Sequence, residues 1–264
     1  GDRSMIDILD DVRTDDDVVA VVLRVNSPGG SGLASDNIWR ALERVSDEGK
    51  PVVVSMGDYA ASGGYYIAAG ADWIVAEPST LTGSIGVFGG KMNLGGVFEK
   101  VGITTHTYRR GQMSEIFSPT SNFSDPEREK FRGFLQSFYD LFLQRVAEGR
   151  QMTVEQVHEV AQGRVWTGQQ AKERSLVDEI GGLDVAVAKA KELAGTGDQE
   201  VSIQRLPRRK TLFDQLAEDL QQSRAPVELG IPAVRDAYRD LLVLDRVLAD
   251  GGVAAMMPGR LSIR

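Results

Sequence analysis

The run from Val18 to Val25 is almost continuously apolar and rich in β-branched residues, and it stops at Asn26-Ser27-Pro28-Gly29-Gly30. A run of that kind reads as a strand buried on both faces, as in a parallel sheet. Leu33, Ala34, Ile38, Leu42 and Val45 then recur on one face of a helix. Val52-Val53-Val54 gives a second buried strand ending at Gly57. Ala61 to Ala69 gives a short helix of small residues, and Trp73 to Ala76 a third strand. Strand, helix, strand, helix, strand in that order predicts an α/β sheet with right-handed crossovers.

The remaining elements follow from spacing and caps. Met5, Ile6, Leu9 and Val12 predict a helix over 4–13. Gly95 to Gly102 reads as a helix with its stop, Thr104 to Arg109 as a strand, and Gly111 to Asn122 as a polar loop. Ser124 and Glu127 form a capping box that opens a long helix. Its apolar face, Phe131, Phe134, Leu135, Phe138, Leu141, Phe142 and Val146, suits either a core or a subunit contact beside a substrate groove. Thr153 with Gln156 and Thr167 with Gln170 repeat the cap logic, and Leu183 to Ala194 is a further helix. Gly195-Thr196-Gly197-Asp198 reads as a linker. The expected organisation is one domain over 1–195 and a C-terminal appendage over 196–264. The appendage holds a strand at Val201 to Leu206, helices near Leu212–Leu220 and Ala233–Leu248, and a terminal Arg260-Leu261-Ser262-Ile263. The apolar Leu241 to Leu244 suits burial there.

Two glycine-rich breaks carry the chemistry. Ala60-Ala61-Ser62-Gly63-Gly64 places a serine at the first turn of a helix, near the positive end of its dipole. Gly29 and Gly30 precede the next helix in the same way, and without Cβ atoms that backbone can approach a substrate closely. The N–H groups of Gly30 and Gly63 can then hold the oxyanion of an acyl transfer started by Ser62; one such donor is worth about 10²–10³ in rate. The same glycines also suit close packing of helix on sheet. A serine needs a base. His106 and His158 have no acid at triad spacing and read as surface or structural residues. Lys91, after Phe88-Gly89-Gly90, is the nearest lysine candidate. A lysine base must lose its proton near neutral pH, a shift of about three units or roughly 4 kcal/mol.

Composition narrows the partners. A net charge of −8 argues against nucleic acid, which needs a basic face. The absence of cysteine removes thiol nucleophiles, disulfides and thiolate metal sites. No stretch of eighteen or more apolar residues appears, and the polar opening Gly1-Asp2-Arg3 does not read as a signal peptide. The chain opens directly on a helical pattern, so the expectation is a fragment of a longer protein.

Four ordered motifs extend the two breaks: Arg24 to Gly30, Ala60 to Tyr66, Leu81-Thr82-Gly83-Ser84-Ile85-Gly86-Val87, and Gly163-Arg164-Val165-Trp166-Thr167-Gly168 with Gly181-Gly182-Leu183. Together they resemble the signal peptide peptidase A family, also called protease IV, of the S49 serine peptidases. The resemblance implies a ClpP/crotonase-like fold with stacked parallel sheet turns and surrounding helices. It implies Ser62 as nucleophile, Gly30 and Gly63 as oxyanion donors, Ser84 hydrogen-bonded to a catalytic lysine, and neither metal nor other cofactor. The substrates it implies are remnant signal peptides and other hydrophobic, membrane-derived peptides, cleaved at the periplasmic side of a bacterial inner membrane by a homo-oligomer. In short members of the family the lysine follows a glycine in the loop before the long helix; here that slot holds Ser114. Tandem members place lysine in the first half and serine in the second, so this chain resembles a second half. Its base is then expected from a homologous N-terminal half or a neighbouring subunit, and the segment alone is expected to be impaired. The alternatives are a crotonase-like acyl-CoA enzyme, which uses carboxylates instead of the serine, and a non-catalytic scaffold half.

Overall fold

The computed structural model describes residues 1–197 and 199–207. Gly1–Arg205 form one compact unit. Leu206–Arg264 form a second, almost all of which, with the expected helices near Leu212–Leu220 and Ala233–Leu248 and the terminal segment, lies outside the described residues.

The elements run α1 (Asp2–Thr14), β1 (Val21–Ser27), α2 (Gly32–Asp47), β2 (Val52–Ala61), α3 (Gly63–Ala68), β3 (Trp73–Ala76), β4 (Leu81–Gly83), α4 (Gly95–Lys100), α5 (Asp125–Arg150), α6 (Val154–Val160), β5 (Val165–Thr167), α7 (Gly168–Lys172), β6 (Glu179–Ile180) and α8 (Leu183–Leu193). β2 is the spine of the sheet. Its first half pairs with β1 and β3, and its last residues Tyr59, Ala60 and Ala61 pair with Leu81, Thr82 and Gly83 of β4. All of these pairings are parallel. Side chains along β2 alternate as a strand requires. Val52, Val54 and Met56 join the large core that also contains Leu9, Trp39, Leu42, Phe142 and Val146, while Val53 points to the opposite layer with Val75, Ala186 and Ala190. Helices therefore cover both faces, which is why these strands read as unbroken apolar runs.

One irregularity in β2 aims the chain at its site. Val25 pairs with Met56, but Ser27 pairs with Ala60, so β2 carries a bulge opposite Asn26. A bulge bends its strand and leaves backbone groups without ladder partners. Here the Asn26 side chain accepts from the Tyr59 N–H at 3.1 Å, and the buried Thr80 hydroxyl donates to the Gly57 carbonyl at 2.8 Å. The re-aimed end of β2 then pairs with β4 and terminates at Ser62.

β1 begins at Val21 instead of Val18 and ends at Ser27, β2 runs past its expected end at Gly57 to Ala61, and α3 accordingly begins at Gly63; three further features depart from the sequence expectations. The sheet is mixed, because β5 runs antiparallel to β4 (Leu81 with Thr167, Gly83 with Val165). The segment Thr104–Arg109 is not a strand: every residue in it is exposed, and β-propensity without a neighbouring backbone to pair with makes no strand. Val201–Leu206 likewise forms no strand. The three capping boxes are where the sequence put them. Glu127 accepts from both the N–H and the hydroxyl of Ser124 at 2.9 Å, and Gln156 and Gln170 reach back to the N–H groups of Thr153 and Thr167. The C-terminal half of the α5 apolar face is core, with Phe142 and Val146 buried; Phe134, in its other half, is exposed.

A partly buried ion pair ties α5 to the sheet. Arg150 makes a two-pronged contact with Asp178, and the same carboxylate accepts the Ile74 N–H of β3 at 2.7 Å. Removing one partner of such a pair leaves the other charge uncompensated. Asp178→Ala is therefore expected to lower the unfolding free energy by about 1.5–3 kcal/mol, the worth of charge-assisted hydrogen bonds, measured by denaturant titration.

Candidate active site

Ser62 sits between the last residue of β2 and the first of α3, in a backbone conformation (φ 52°, ψ −120°) rare for a residue with a side chain. Such strain persists only where the surroundings hold it. The Ser62 N–H donates to the Gly83 carbonyl at 2.9 Å, and its carbonyl accepts the Tyr66 N–H at 2.8 Å. Ser84, one residue beyond β4, is also at positive φ (50°), and its N–H donates to the Arg164 carbonyl at 2.7 Å. Register thus makes the two serines neighbours: Ala61 pairs with Gly83, and each strand then delivers a serine.

The two glycine turns interlock. Gly29 has φ +109°, and a Cβ there would fall 2.8 Å from both the Ser62 Cβ and the Gly63 nitrogen. A Cβ on Gly63 would fall 2.5 Å from the Ser35 hydroxyl and 3.2 Å from the Gly30 nitrogen. Only glycine permits this approach. Among the described residues, neither the Gly30 nor the Gly63 N–H has an acceptor of its own, as expected for a loop amide and for the first amide of a helix.

Behind α3, Asp36 accepts from the Tyr66 hydroxyl at 2.8 Å and from Arg40 at 2.7 Å, with Arg145 3.6 Å away. Burial opposes the Asp36 charge, but the bonds from Arg40 and Tyr66 outweigh it and hold the carboxyl below its ordinary range. Burial, with the Asp36 bond, pushes the Tyr66 phenol upward. The Tyr66 ring lies on Phe142 at 4.7 Å. This cluster fixes α3 against α2 and α5.

Ser62 opens on a cleft of about 760 Å³. Pro28, Gly29, Gly30, Ser62 and Ser84 form its floor, and Val87, Phe88 and Leu135 an apolar side. Arg132, Gln136, Tyr139, His158 and Gln162 form a polar wall. His158, expected as a surface or structural residue, is exposed and also lines the cleft: its Nδ1 is 3.1 Å from the Tyr139 hydroxyl and its Nε2 3.1 Å from the Gln162 side-chain nitrogen. The available signal was the stripe Arg132, Leu135, Gln136, Tyr139, which shares one face of α5. Among the described residues no lysine lines this cleft. Lys91 instead donates to the Glu115 carbonyl at 2.8 Å and lies 4.6 Å over the Phe123 ring. Ser114 lines a different cavity of about 610 Å³, sharing no residue with the first. His106 is in the exposed, unpaired segment.

A strained serine at a strand-to-helix turn, on an α/β sheet and facing a peptide-sized cleft, is the arrangement of a serine-type hydrolase. Comparison with known proteins makes the class specific. The family model described as Peptidase family S49 matches residues 44–197, and the chain belongs to that family. Membership carries the ClpP/crotonase-like fold, here with a mixed, curled sheet. The chain is 38% identical over 259 residues to the chloroplastic serine protease SPPA of Arabidopsis thaliana, covering 97% of this chain and 37% of that protein. It is 46% identical over 184 residues to protease 4 of Salmonella typhi, covering 70% and 30%. It is 40% identical over 181 residues to a putative signal peptide peptidase SppA of Enterococcus faecium, covering 69% and 53%. The chain is thus an SppA-like, serine-type peptidase homologue that spans about a third of the Arabidopsis and Salmonella proteins.

Two measurements check this geometry. Gly29→Ala is expected to slow phosphonylation of Ser62 by a serine-directed fluorophosphonate about 10²-fold relative to the unsubstituted chain, with the circular dichroism spectrum retained. For Asp36, the folded carboxyl lies below its unfolded value of about 3.9, so its stabilisation is complete above that value and is lost as pH falls through the folded one. The stability gap between the unsubstituted chain and Asp36→Asn, followed by denaturant titration, should be largest near about pH 7 and shrink towards about pH 3.

Proposed function

We propose that this chain is the serine-bearing domain of an endopeptidase that hydrolyses hydrophobic, membrane-derived peptides such as remnant signal peptides. Ser62 Oγ attacks the scissile carbonyl carbon, and its proton passes to a lysine amine supplied from outside the described residues. The developing oxyanion is held by the N–H groups of Gly30 and Gly63, and Ser84 orients the amine. Collapse of the tetrahedral intermediate expels the leaving amine, which takes the proton, and water then releases the acyl group from Ser62. The observation that carries this reading is the interlocked pair of turns, which puts a strained serine beside two amides that have no other acceptor among the described residues.

The missing base supports a shared site. Lys91 is engaged elsewhere, and the loop expected to carry the family lysine holds Ser114. A homologous N-terminal half, or a neighbouring subunit of a homo-oligomer, is the source we infer, at the periplasmic face of a bacterial inner membrane. Among the described residues no helix is long and apolar enough to cross a membrane. The crotonase-like alternative is disfavoured because, among the described residues, none lining the Ser62 cleft is Asp or Glu, and that chemistry needs a carboxylate there.

Labelling with a fluorophosphonate tests the assignment. The chain alone should label slowly, and a lysine-bearing homologous half should accelerate labelling by about 10²-fold or more, the worth of a positioned general base. Ser62→Ala should remove the label in both cases. Full reactivity of the isolated chain would place the base within it, and a label retained by Ser62→Ala would remove Ser62 as nucleophile.

A further inference from the structure

We infer that the polar wall of the Ser62 cleft is a carboxylate subsite, in which Arg132 binds a negatively charged carboxylate of the peptide substrate and so sets which peptides are held. The inference rests on the reading of Ser62 as the nucleophile. It goes further by assigning a role to a side chain at the opposite wall.

The sign of the charge is the first argument. The chain as a whole is acidic, at −8. Yet among the described residues the cleft that opens on Ser62 is lined by no Asp or Glu, and the guanidinium of Arg132 puts a positive charge in it. A cleft of one sign on a molecule of the other attracts the ligand that complements it. The acidic overall charge repels anions in general, so a local basic wall above the nucleophile selects anions that also fit the apolar side.

Arg132 is also uncommitted. Arg13, Arg40, Arg44, Arg109, Arg145 and Arg150 all sit within salt-bridge distance of a carboxylate. Arg132 has no such partner among the described residues; Arg3, Arg24, Arg110, Arg128, Arg164 and Arg205 have none either, but Arg132 alone of these lines the Ser62 cleft, on the same face of α5 as Leu135, Gln136 and Tyr139. Its neighbours are engaged: Gln136 donates to Asp140 at 2.8 Å, and Tyr139 contacts His158. A guanidinium with its planar donor fork free binds carboxylate in two-pronged fashion. Carboxylate is the anion a peptide carries, either as a free C-terminus or as an acidic side chain. The apolar side of the cleft, with Phe88 97% exposed, takes the hydrophobic part of the same peptide.

The test is peptide binding to the full chain carrying Ser62→Ala, which holds substrate without turnover. Fluorescent apolar peptides are compared in two pairs: free C-terminal acid against amide, and an internal Asp against Asn. In one pair the carboxylate form should bind about tenfold tighter at low salt, the worth of a charge-assisted contact. The pair that shows the preference identifies the carboxylate's source. Adding Arg132→Gln should bring the ratio to about one, whereas Arg128→Gln, on an exposed residue outside the cleft, should leave it unchanged. Raised salt should shrink it. Equal binding within both pairs, or a preference that survives Arg132→Gln, overturns the inference. Fluorophosphonate labelling of the Ser62-bearing chain reads the nucleophile separately. Peptides bound without preference by a chain that labels at Ser62 sink only the subsite. A carboxylate preference in a chain that never labels at Ser62 supports the subsite and sinks the nucleophile.

Discussion

The contact of Gly29 with Ser62 and Gly63 is the constraint on which the site depends. Two loops from different strands meet so closely that a single methyl group at Gly29 would strike both the serine Cβ and the next amide nitrogen. That closeness brings Gly30 and Gly63 to a common place, and it holds Ser62 in a conformation that a free turn would abandon. The bulge opposite Asn26, the β2–β4 register and the Asp36–Tyr66 cluster all serve the same end. They aim, pair and brace the strand-to-helix junction that carries the serine.

The division of labour between sheet and helices follows from burial. The first six residues of β2 are buried, so the junction at its end continues a strand fixed in the core. The cleft wall comes from elsewhere: α5 supplies Arg132 to Tyr139, and α6 supplies His158. α5 belongs to the core only through its later turns, where Phe142 and Val146 are buried, while its earlier turns are free to face a ligand. One helix thus carries both structural and recognition residues, separated along its length.

Much of this was legible in the residues. Long β-branched runs, capping boxes and glycine breaks encode local structure directly: β3, α2, α5 and the α6 and α7 starts fell where pattern placed them, while β1 runs Val21–Ser27, shifted from its Val18–Val25 apolar run. Short strands were not legible: β5 and β6 have three and two residues and owe their form to the strands beside them. The same dependence on a partner explains Thr104–Arg109, whose residues favour a strand that no neighbouring backbone completes. Ser62 and the glycine turns could be read because their chemistry is local in sequence. His158 and Arg132 could not, since only the fold brings α5 and α6 to the cleft that holds Ser62. The role of Asn26 in satisfying the bulge was hidden for the same reason.

The most direct measurement is a crystal structure of the chain after reaction with a peptide boronate, a mimic of the tetrahedral intermediate. The account predicts a covalent bond from boron to Ser62 Oγ, with one boronate oxygen about 3 Å from the nitrogens of both Gly30 and Gly63. A boronate bound through another residue, or one at Ser62 with that oxygen turned to solvent and neither amide in reach, would contradict it.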